Sequence, residues 1–122
     1  MNTKKLITWG LTGLVGITFL GSAAAKFTLV PGTPDAEKMI KMGMELSTLK
    51  SLAIIEIMSV VLFLIPRTGV LGFGLITAYM GGAIATHLTH NEPVLAPCVI
   101  LGFVWITTLV RFPEVGQRLF AK

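Results

Sequence analysis

Cysteine is nearly missing from this chain of 122 residues, where Cys98 stands alone. One thiol makes no internal disulfide, no CxxC redox pair and no thiolate metal cluster, so any redox role borrows its electron carrier from another molecule. Charge is scarce too, at 13% of residues. No GxGxxG, Walker loop, HExxH or GxSxG occurs, which removes the dinucleotide, nucleoside triphosphate, zinc-protease and serine-hydrolase motifs. What fills the chain instead is apolar: 53% of residues are hydrophobic and the mean hydropathy is +0.81. A soluble core of this size cannot hide so much apolar surface, and the solvent it implies is lipid.

A bilayer crossing takes about 20 mainly apolar residues. Four stretches fit, 6–25, 49–65, 70–89 and 94–110. The expected fold class is therefore an all-α membrane protein. It is one integral domain over 1–122, a bundle of four transmembrane helices with a short interfacial helix between the first and second spans. The formal charge of +4 comes from residues at helix ends rather than on one basic face, so the partner is a lipid bilayer and not nucleic acid. With four spans, Lys4, Lys5, Arg67, Arg111, Arg118 and Lys122 share the side of the termini, against Lys26, Lys38, Lys41 and Lys50 on the other. That excess of Lys and Arg places both termini in the cytoplasm.

The opening 25 residues imitate a secretory signal, with Lys4-Lys5, an apolar run and Ala23-Ala24-Ala25. The run is longer than a usual signal core, so it reads as the first span. Gly10, Gly13, Gly16 and Gly21 along it are expected to let helices approach closely, and Trp9 sits where an interfacial aromatic would. In the long connection that follows, Thr33 reads as an N-cap, Pro34 as a first-turn residue, and Asp35 and Glu37 as acids at a helix N-terminus. Met39, Ile40, Met42 and Leu46 then offer an apolar face. It suits an interfacial anchor or an adaptable ligand lining.

Glu56 is the one carboxylate inside a span, and an ionisable residue there marks a site or a buried partner. Ala53, Glu56, Ser59 and Phe63 recur at helical spacing, which turns Glu56 inward. Counting about 1.5 Å per residue from flush cytoplasmic ends puts Glu56 level with Gly16, Thr77 to Tyr79 and Gly102, with no basic residue alongside. A carboxyl buried without a cation is expected neutral, as a hydrogen-bond donor or proton carrier. The stripe Gly74, Thr77, Gly81, Ala85 is the expected packing face of the third span. That span ends in His87 and His90, expected to form an outer mouth with Lys26 and Glu92. Their spacing is too poor in strong ligands to predict a metal.

Glu56-Ile57, followed by LFLIPRTGVLGFGLITAYMGGAIATHLTH and a proline-led last span ending in Arg111-Phe112-Pro113, resembles the DoxX-like family of small bacterial membrane proteins. The resemblance runs from about Leu6 to Pro113 and implies a four-helix bundle in the bacterial inner membrane. It also implies a redox or detoxification theme, since wider relatives include a subunit of a thiosulfate:quinone oxidoreductase. Three functions are then open. One is an accessory subunit holding a quinone or another small apolar molecule near Glu56, with Thr77, Tyr79, His87 and Lys26 as polar contacts, for a membrane redox or detoxification partner. The second is an enzyme on a lipophilic substrate with Glu56 as its acid or base and His87 as its partner. Counting sets those two about 14 Å apart in height. The third is a passive assembly protein, a homo-oligomer formed through glycine stripes, in which Glu56 only ties helices together.

Overall fold

Apolar helices in lipid need satisfied ends, and the first is built accordingly. In a computed structural model describing residues 2–121, the side chain of Asn2 accepts the Lys5 backbone N–H at 2.7 Å and caps α1 (Thr3–Phe27). Lys122, counted above among the basic residues, lies outside the described residues. Thr33 caps α2 (Pro34–Lys41) by accepting from the Ala36 N–H, with Pro34 in the first turn as the sequence expects. Then come α3 (Leu46–Leu64), a 3-10 turn at Pro66–Thr68, α4 (Gly69–Thr89), α5 (Leu95–Arg111) and α6 (Pro113–Leu119). The chain is all helix and turn among the described residues. Helices α1, α3 and α4, the last together with its leading turn, are long and apolar enough to cross a membrane. At 17 residues α5 measures about 26 Å, a little under a bilayer's hydrocarbon core. It breaks by 106° into α6.

The long helices close a ring: α1 packs on α3, α3 on α4, α4 on α5, and α5 returns to α1. Leu49, Ala53, Glu56, Ser59, Val60 and Phe63 form the buried face of α3, which contains the whole stripe expected from spacing. The glycines behave differently. On α4 the buried face is Gly69, Gly72, Phe73, Ile76 and Met80, while Gly74, Gly81 and Ala85 are exposed. A Cβ at position 72 would overlap the Phe63 backbone, and one at 69 would overlap the Phe112 ring, whereas one at 74 or 81 would meet nothing. Both stripes obey helical spacing and both are apolar or small, so periodicity alone cannot choose between them in lipid. On α1, likewise, only Gly16 packs closely, against Leu64 at 3.3 Å from an added Cβ.

That contact corrects the depth count. Gly16 lies beside Leu64 at the end of α3, and Lys26, ten residues on, is the one level with Glu56. Flush helix ends are the error, because α3 ends partway along α1. Arg111 holds it there. Its guanidinium donates to the carbonyl oxygens of Phe63 and of Leu64, the latter at 2.8 Å, filling orphan acceptors at a helix C-terminus. The Trp9, Phe63 and Phe112 rings surround the same cation at 5.7, 5.2 and 4.7 Å. Arg111 is thus a structural cap on α3.

Candidate functional site

Helices α3 and α4 meet closely at Gly72, and towards their other ends a space lined by both is not filled. A cavity of about 590 Å³ opens there, reaching from α3 and α4 to α1, α5 and the α2 segment. Small-molecule sites commonly span roughly 300–1,000 Å³. Most of its wall is apolar, including Phe19, Leu52, Met80 and Ile100. Pro97 of α5 is buried in the wall and Met39 and Met44 close it from the α2 side.

One polar cluster interrupts that wall. Lys26 Nζ donates to Glu56 Oε2 at 2.8 Å and to Ser22 Oγ at 2.8 Å. Tyr79 donates its hydroxyl to the same Oε2 at 3.3 Å, and its ring lies 5.9 Å from the ammonium. The side chain of Glu56 is 2% exposed and that of Lys26 20%, so the carboxylate is inside and the cation reaches in from the end of α1. A long aliphatic stem makes that reach natural. One expectation is corrected here and one signal was missed. Glu56 does have a cation beside it, Lys26. Lys26, Ser22 and Thr18 recur every four residues on α1, a polar stripe that was legible and points to this wall.

The other expected contacts divide. His87 lines the same cavity as Glu56, despite the height difference counted from the sequence. Its Nδ1 is 2.7 Å from the Ala83 carbonyl oxygen and donates there. Thr77 does not line the cavity, and its buried hydroxyl has no hydrogen-bond partner among the described residues. Two residues of α4, about 200° around its axis, put its face nearly opposite that of Tyr79. The expected outer mouth also splits. Lys26 turns inward, Glu92 instead approaches Lys38 at 3.8 Å, and His90 lies against Gly43, whose φ of +80° makes the turn after α2. A second hollow of about 330 Å³ lies between α1 and α2 and shares Ser22, Lys26, Met39 and Leu49 with the main cavity. Lys26 stands at the junction of the two. No group of three metal-ligating side chains occurs among the described residues.

With this geometry in hand, comparison with known proteins is informative at one level. No curated protein and no solved structure gives a match. A family model described as the DoxX-like family matches residues 10–107, which includes the α1, α3 and α4 walls of the cavity and most of α5. The chain belongs to the DoxX-like family, and it is a small helical membrane protein.

Proposed function

We propose that this protein is an accessory subunit of a bacterial inner membrane redox or detoxification system, holding a small apolar molecule of quinone-like size between α1, α3, α4 and α5. The observation that carries the reading is an apolar cavity of about 590 Å³ in whose wall half-buried Lys26 pairs with buried Glu56. A protein whose only task was assembly would gain by filling that space, since unfilled volume forfeits packing. In this reading α5 completes a four-span bundle, α2 lies at the interface and both termini face the cytoplasm, in keeping with the excess of Lys and Arg on that side. The ammonium and carboxylate orient a ligand's polar end, and the surrounding aliphatic wall takes its apolar body. The partner enzyme supplies the chemistry.

The test is native mass spectrometry of the chain extracted in detergent, with the released small molecules identified. A co-purifying apolar molecule should appear in the wild type and vanish in Ala83→Trp, which fills the chamber. Glu56→Gln should lower its occupancy. A wild type that is intact yet carries no small molecule counts against the binding reading and for an assembly role.

A further inference from the structure

We propose that the cavity selects an uncharged lipophile whose polar end is a hydroxyl, a phenol or hydroquinone rather than the corresponding carbonyl or ether. This rests on the binding reading above and assigns the chemical class of its ligand. Both partners of Glu56 go to one oxygen. Lys26 and Tyr79 donate to Oε2, while Oε1 receives no hydrogen bond from any described residue. The Glu56 side chain is 2% exposed and lines the cavity, and Oε1 is not among the fully enclosed side-chain atoms that lack a partner, so the surface it keeps faces the cavity. Covering that oxygen with a group that brings no donor is unfavourable by the desolvation of a charged acceptor. A ligand that drives the remaining solvent from the chamber must therefore bring a donor of its own.

The cation beside it completes the specification. An ammonium has three N–H donors, and Lys26 spends two of them on Ser22 and Glu56. A hydroxyl can donate to Oε1 and accept the third Lys26 N–H. A carbonyl or ether oxygen can only accept, and would leave Oε1 unpaired. Lys26 and Glu56 are opposite charges in contact, so the wall presents no net charge from this pair, and an anion or cation would meet one repulsive partner. The apolar remainder of the wall then takes an alkyl or aromatic body.

The experiment compares 4-hexylphenol with 4-hexylanisole, two probes of nearly equal shape that differ in the donor. Each is titrated against the full chain in lipid nanodiscs, with occupancy read by native mass spectrometry and corrected for partition into protein-free discs. The phenol should bind at least about 10-fold more tightly, as befits a hydrogen bond to a charged acceptor. In Glu56→Gln, where the acceptor is neutral, the preference should fall to about 3-fold or less. The wild-type comparison alone suffices if that variant does not insert. Equal binding of the two probes overturns the hydroxyl assignment and leaves the cavity a binding site. Binding of neither probe overturns the binding reading as well. A preference that persists unchanged in Glu56→Gln overturns the role of Oε1.

Discussion

The two ends of the helix ring solve the same problem in opposite ways. At the Arg111 end the backbones of α3 and α4 meet through Gly72, and a cation caps the α3 carbonyls inside an aromatic enclosure. At the Lys26 end a chamber lies between the helices, α2 contributes to its wall, and a cation pairs with a carboxylate beside it. Lipid offers no hydrophobic drive for helix pairing, so association rests on close packing and polar contacts. The first end uses both. The second keeps the polar contact and gives up the packing, which is the arrangement expected where space has a use.

Substitutions can break this contrast in graded steps, each read by thermal unfolding in one detergent. Lys26→Met leaves Glu56 buried without its cation and should destabilise the protein by about 3–5 kcal/mol, while Lys26→Met with Glu56→Leu should recover most of that loss. If the double variant is no better than the single one, the pair is not coupled as described. Gly72→Ala pushes a methyl group into the Phe63 backbone and should lower stability by about 3 kcal/mol. Arg111→Met removes two charged hydrogen bonds and should lower it by about 2 kcal/mol, with ligand occupancy at the other end unchanged. A fall in occupancy as large as in Glu56→Gln would show that the ends are not independent. Gly81→Ala, on the open face of α4, should change stability by less than about 1 kcal/mol. A large effect there would mean that the Gly74–Gly81 face is covered by something other than lipid.

Much of the architecture could be read from residue order. Apolar runs of bilayer length predict the four long helices to within a few residues, and Thr33-Pro34 predicts the start of α2. The inward face of α3 was legible because its polar members, Glu56 and Ser59, must avoid lipid. The packing face of α4 was not. Gly72 and Gly81 look alike in sequence, and only the neighbouring backbone distinguishes them. Nor does residue order say that Arg111 caps α3: a basic residue at a helix end suits a headgroup or a helix C-terminus equally well, and chain order does not say which is nearer.

The sequence by itself determined the solvent, the helices and the presence of an ionisable group within a span, because each follows from local composition and from the length of chain a bilayer demands. Tertiary structure decided the partner of that group. The Lys26–Glu56 pair depends on how far α3 slides along α1, and that offset is set by Leu64 seating on Gly16 and by Arg111 reaching the α3 carbonyls. Helical periodicity determines direction around an axis. Displacement along it belongs to the contacts between helices, which residue order leaves open.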